Sequence, residues 1–259
     1  MGLFSQVKAA VGVGASEVQV TTENGRYHWG ETLEGKVVVS GGQIEQTASE
    51  VTVNITETWV EQRRNHDGKM RSERQHRTYS ERLVASQVVI AVGSSQEYAF
   101  ELQVPNEGTL SHEWYVAARV SVPQAADRHG RANFQLLPPH AVMGLVNAVC
   151  QIVPCELRSL SNRSTQVTVD LKPATAHEKD LDGLMLIVHA GGDPIAGAFE
   201  INPQEKSFGD RLKALAKQDR VKHPISFAAA PLAAAAEDAT KVPPEVVEQL
   251  RGFITPHLS

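Results

Sequence analysis

Cysteine is scarce in this chain: Cys150 and Cys155 are the only two in 259 residues. Two are too few for a disulfide framework, and four intervening residues match no common zinc spacing. They are read as two partly buried thiols of a reducing cytoplasm. There is no basic excess either. Lys and Arg number 25 against 30 Asp and Glu, a net charge of −5, whereas nucleic-acid binders carry a clear basic surplus. No run of about 18 apolar residues occurs, so no membrane-crossing helix is expected. The N-terminal MGLFSQVKAAVGVGA has one lysine and no clean apolar segment. It reads as a short amphipathic or extended lead-in rather than a secretory signal.

The usual catalytic groupings are also missing. The chain has no Gly-x-x-x-x-Gly-Lys-Ser/Thr, no Gly-x-Gly-x-x-Gly after a strand, no Gly-x-Ser-x-Gly and no His-Glu-x-x-His. Gly12-Val-Gly14 has neither a strand before it nor a helix after it. The ten histidines raise the question of metal: Asp127, His129 and His140 bracket one strand, and His177, Glu178 and Asp180 share a loop. No two histidines have the i, i+2 or i, i+4 spacing that fixes two ligands on one element, and loop histidines are usually solvated. Asp180/Asp182 and Glu237/Asp238 are loop carboxylates with no identifiable base or nucleophile beside them. We therefore expect no catalytic residue, no cofactor and no metal. The alternative is a metal-dependent β-sandwich enzyme using loop histidines.

What is present is strand. Val51, Val53, Ile55 and Trp59 share one parity, while Thr52, Asn54, Thr56 and Thr58 share the other. Such period-two alternation buries one face and wets the other. Val37–Val39 forms an earlier strand, and a Gly41-Gly42 turn should join the two as an antiparallel ribbon. Val18 and Val20 mark a first strand, followed by the tight-turn pair Asn24-Gly25. Residues 83–92, 98–104 and 112–122 add further strands, with Tyr98, Phe100, Leu102 and Val104 on one face. Strands every 10–15 residues or so, joined by Gly and Pro turns, indicate an antiparallel sandwich. The first domain is placed at residues 1–124, with a turn-rich hinge over 123–130.

The words Tyr27-x-x-Gly30-Glu31-x-x-x-Gly35, then Gly41-Gly42-x-x-Glu45-Gln46, then an alternating strand, resemble the sporulation-control protein M (SpoOM) family. The resemblance covers the first half of the chain best. It implies two tandem arrestin-like antiparallel β-sandwich domains, a bacterial cytoplasmic location, and a regulatory or scaffolding role in stress or developmental control without enzyme activity. A family-type helix opening the second domain fits residues 140–149, where Val142, Leu145, Val146 and Val149 repeat at i, i+3, i+4, i+7. The family's acidic-basic strand motif is not matched after Glu200.

The second domain, residues 125–259, should then be a β-sandwich with added helices. Its strands fall at 132–137, 155–160, 166–171, 183–190, 195–201 and 224–230. A helix is expected from Ser207, with Phe208, Leu212 and Leu215 as its stripe, and another from Pro243-Pro244. The Ala-rich run 228–236 reads as a linker.

The candidate interaction arm lies between Val60 and Arg82, two long strands turning at Asp67-Gly68. Arg63, Arg64, Lys69, Arg71, Arg74, Arg77 and Arg82 face Glu61, Asp67, Glu73 and Glu81, a local excess of three positive charges. Interleaved acids, and Tyr79 as the one aromatic, also suit a solvated hairpin kept soluble by charge. Arg63, Arg64, Arg71, Arg74 and Arg77 are the candidate partner-binding residues. The expected partner is another protein, with no nucleic acid and no integral membrane contact. Sheet edges could also join two copies as a homodimer. Peripheral membrane binding through Leu3, Phe4, Lys8 and the basic hairpin is a weaker alternative.

Overall fold

The computed structural model describes residues 16–64, 66–67, 69–123, 125–203 and 220–258. It is mainly β with antiparallel sheets and a few short helices, as the alternation predicted. The expected lead-in at residues 1–15 and the Ser207 helix lie outside the described residues. Contacts divide the chain into two units. One takes the chain up to Pro105 with His112–Leu137; the other takes Asn106–Ser111 with the chain from Pro138 onward.

The first unit holds β1 (Glu17–Thr22), β2 (Arg26–His28), β3 (Thr32–Ser40), β4 (Gln46–Arg64), β5 (Met70–Ile90), β6 (Ser95–Gln103), β7 (Glu113–Ser121) and β8 (Arg128–Leu137). They form a three-stranded sheet, β1-β3-β6, and a five-stranded sheet, β2-β8-β7-β4-β5. Alternate residues point inward from both. Leu33, Val37, Val39, Phe100 and Leu102 come from the first sheet, and Val51, Val53, Ile55, Val116, Ala118 and Val120 from the second, all buried. Each such Val, Leu, Ile or Phe side chain contributes about 1.5–3 kcal/mol by leaving water.

Two expectations are corrected here. β3 and β4 do not pair across Gly41-Gly42. β3 pairs with β1 and β6, and β4 with β5 and β7. Alternation fixes which face is buried but not which strand lies alongside. The glycines instead carry the chain from one sheet to the other, where a Cβ on Gly41 would meet the Ala91 carbonyl oxygen at 1.9 Å. The first unit also runs past residue 124, because β8 pairs antiparallel with β7 and parallel with β2; the break falls after Leu137.

In the second unit, α1 (His140–Ile152) is followed by β9 (Cys155–Arg163), β10 (Gln166–Pro173), β11 (Leu181–His189), β12 (Ile195–Pro203) and β13 (Val221–Phe227). Among the described residues these strands make one antiparallel meander, β13-β12-β11-β10-β9. Val167, Val169, Leu171, Leu184, Leu186, Val188, Phe199 and Ile201 form its buried face. The Ala-rich run is no linker: α2 (Ala229–Ala234) forms there, followed by α3 (Pro244–Ile254). Asn147 of α1 donates to the Ala235 and Ala236 carbonyls at 2.8 and 3.0 Å, capping carbonyls that a short helix leaves open. His223 shares a strand face with Ile225 and Phe227 and stacks on Phe253, which sets α3 over that face. Cys150 and Cys155 are paired as a disulfide, Cα atoms 5.4 Å apart, not free thiols. The helix ends at Ile152 and the chain folds back at once into β9, so the spacing closes a loop that a cysteine count does not reveal.

Candidate functional site

The charged hairpin is a real ribbon. β4 has β7 on one side from Glu50 to Thr58 and β5 on the other along its whole length, to the last pair Arg64↔Met70. From Trp59 onward β4 pairs with β5 alone, so six residue pairs, roughly 20 Å of strand, extend beyond the end of β7. Arg63 and Arg71 stand directly opposite each other, Arg64 opposite Met70, Arg74 opposite Val60 and Arg77 opposite Glu57. The structure therefore gathers four of the five candidates on the projecting part and leaves Arg77 at its root.

Opposite residues in an antiparallel pair share a face. Arg63, Arg71, Glu61, Glu73, Trp59 and Gln75 lie on the face continuous with the sandwich interior, below Glu57 and Arg77. Arg63 is ion-paired to Glu61 at 3.0 Å. Arg64, Arg74 and His76 lie on the outer face with Val60 and Met70, which are 57% and 60% exposed.

Sequence reasoning missed the root. Glu57 is 4% exposed and is held by the Tyr79 hydroxyl, which donates to Oε2 at 2.8 Å, and by His112 Nδ1 at 2.8 Å from Oε1. Trp59 stacks on the His112 ring at 5.1 Å and 9°, and the Arg77 guanidinium stands 4.7 Å over the Tyr79 ring. Tyr79 leans on Trp114, Trp114 on Phe134 and Phe134 on Tyr27. Aromatics are only 5% of the sequence, yet five of them run through this end of the unit. The signal was available: Glu57 sits on the buried parity between Ile55 and Trp59. Its chemistry is that of a clamp, a desolvated carboxylate that accepts from Tyr79 and His112 and ties β4 to β5 and to the start of β7.

A surface cavity of about 450 Å³ in the first unit is lined by Thr21, Glu23, Glu34, Lys36, Arg82 and Glu101, with Phe100. That mixture of carboxylates and cations includes no histidine, serine or cysteine. In the second unit buried Glu200 is neutralised by Lys222 at 2.7 Å and Arg220 at 3.5 Å. The loop acid Glu178 pairs with Lys172 at 2.9 Å. Among the described residues, no helix is long and apolar enough to cross a membrane.

The chain is thus a mainly β protein of two units, with a charged ribbon held by a buried clamp at its root. Comparison with known proteins makes the assignment specific. The family model described as SpoOM protein matches residues 4–205, and the chain belongs to that family. Among solved structures it is similar to Spo0M, the sporulation control protein from Bacillus subtilis. There the TM-score is 0.59 at 17% identity, covering 94% of this chain and 99% of that one, a likeness of fold. A CARDB domain of a Pyrococcus furiosus protein, solved with di-metal ions, aligns over 47% of this chain and 87% of its own at 12% identity and a TM-score of 0.28, too distant to carry an argument. No curated protein sequence matches the chain.

Proposed function

We propose that this SpoOM-family chain is a non-enzymatic regulatory or scaffold protein of the cytoplasm that works by docking another protein on the β4–β5 ribbon. One observation carries the reading: among the described residues the ribbon extends past its own sheet and pairs only with itself, and it is anchored by a buried carboxylate clamp. A solvated loop needs no such anchor. A rigid arm does, because pre-ordering the surface lowers the entropy that binding must overcome. Family membership supports a sporulation-control-like role, and the partner is expected among proteins of that kind of response.

The test is affinity capture from native cell extract, comparing wild type with a variant in which Arg63, Arg64, Arg71 and Arg74 are changed to Ser. Arg77 is left in place because it packs on Tyr79. A partner retained by wild type and lost by the variant supports the ribbon as the contact. Equal retention moves the contact elsewhere on the molecule, and no retention by wild type defeats the docking reading.

A further inference from the structure

Along the sequence the ribbon's acids and bases are closely interleaved. The strand register separates them. On the inner face the pairs are Glu57↔Arg77, Trp59↔Gln75, Glu61↔Glu73 and Arg63↔Arg71; on the outer face they are Thr58↔His76, Val60↔Arg74, Gln62↔Ser72 and Arg64↔Met70. All three acids of these pairs fall on the inner face, where three arginines balance them. Among the described strand pairs beyond β7 the outer face carries no acid, and at its root Glu113 of β7 accepts from the Thr58 hydroxyl at 3.4 Å. It presents Arg64 and Arg74, each across from an exposed apolar side chain, Met70 and Val60. Among the described residues neither arginine meets a carboxylate. Beside this face runs β5, the last strand of its sheet among the described residues.

We propose that the outer face and the bare edge of β5 together take an extended acidic segment of a partner protein as a sixth strand of the sheet. Two independent features converge on this ligand. A strand edge offers backbone hydrogen bonds that only another chain in extended form can use. An acid-free face with two unpartnered guanidinium groups selects carboxylates, which arginine meets in a bidentate fork. Because side chains of an added strand alternate between faces, the preferred segment has acidic residues at every second position. They lie beside Arg74 and Met70 of β5, with Arg64 one strand further in on the same face across from Met70, while its other side chains fall beside Arg71, Glu73 and Gln75 on the inner face. An anionic membrane offers the charge but no backbone groups. It would also draw on Arg63 and Arg71 at the ribbon's end as strongly as on Arg64 and Arg74.

The proposal rests on the docking reading above, and its test is separable from it. Full-length protein is titrated into a fluorescein-labelled peptide of alternating Glu and Thr. The comparison is a peptide of the same composition with its glutamates and threonines in two blocks. Anisotropy should show the alternating peptide binding more tightly, with affinity falling as salt is raised. Arg64→Ser with Arg74→Ser should weaken it about tenfold or more, while Arg63→Ser with Arg71→Ser changes it by less than about threefold. Bound peptide should also slow hydrogen exchange at β5 backbone amides between Met70 and Gln75. Both double variants alter exposed side chains, and unchanged thermal melting confirms that each is folded. Equal binding of the two peptides, equal loss in the two double variants, or binding only to phosphatidylserine vesicles overturns the proposal. If native extract yields a ribbon-dependent partner and the alternating peptide does not bind, the docking reading stands and this one falls.

Discussion

Changing Glu57 to Ala should destabilise the first unit by about 2–4 kcal/mol, more than an acidic residue on an alternating strand would ordinarily cost. The magnitude comes from its two donors. Without the carboxylate, the half-buried Tyr79 hydroxyl and His112 Nδ1 both lose their acceptor, at about 1–3 kcal/mol for each group left dry. Breaking a buried charged contact costs about 3–5 kcal/mol, but His112 is partly exposed and can turn toward water, which lowers the sum. Glu57→Gln keeps the shape and an acceptor oxygen and should cost about 1–2 kcal/mol, and Tyr79→Phe about 1 kcal/mol. The two are in contact, so the double variant should show a coupling of about 1 kcal/mol. Urea unfolding followed by tryptophan fluorescence isolates the effect, because Trp29, Trp59 and Trp114 all lie in the first unit. A two-unit chain need not unfold in one step, and this signal follows the relevant unit alone. A cost below about 1 kcal/mol for Glu57→Ala, or no coupling to Tyr79, would refute the clamp.

Two glycines of identical helical type should respond with opposite sign. Gly252→Ala in α3 meets nothing within 4 Å and should stabilise by about 0.5–1 kcal/mol. Gly144→Ala in α1 would place its Cβ 1.8 Å from the Leu232 carbonyl oxygen and should lower the melting temperature; equal responses by thermal melting would contradict the helix crossing. Stability of the second unit should depend on pH through His223, whose pKa is held below the usual 6.5 by burial and secondarily by His257. Its folded value is the lower one, so stability is complete above the unfolded value and is lost as pH falls below about 6.5. Relative to the intrinsic exchange rate, which itself slows as pH falls, the protection of β13 amides should drop over that range in wild type and not in His223→Phe.

The parts of the fold that alternation encodes were legible. Val51, Val53 and Ile55 are buried as read, the helix starts at His140, and the hairpin places Arg64 across from Met70 around Asp67. Strand partners were not legible, because period two names a face and leaves the neighbour open. Hence the ribbon expected across Gly41-Gly42 became a crossing between sheets, and β8 joined the first unit. Charge sorting was hidden for the same reason: that Glu61 faces Glu73 and Arg64 faces Met70 depends on register, which a linear charge count averages away. Glu57 was overlooked although a lone acid on the apolar parity is a recognisable anomaly. Its donors lie 22 and 55 residues further along, out of reach of any local pattern.

The central claim is that the projecting ribbon is the working surface, and removing it is the most direct test. Val60 and Arg74 are opposite one another, so residues 61–73 can be replaced by an Asn-Gly turn, which closes a two-residue hairpin and leaves Glu57, Tyr79 and the sandwich untouched. The measurement is partner recovery from native extract by this shortened protein and by wild type, at equal folded concentration. The account predicts that the shortened protein melts like wild type in tryptophan fluorescence and recovers no partner; undiminished recovery would contradict it.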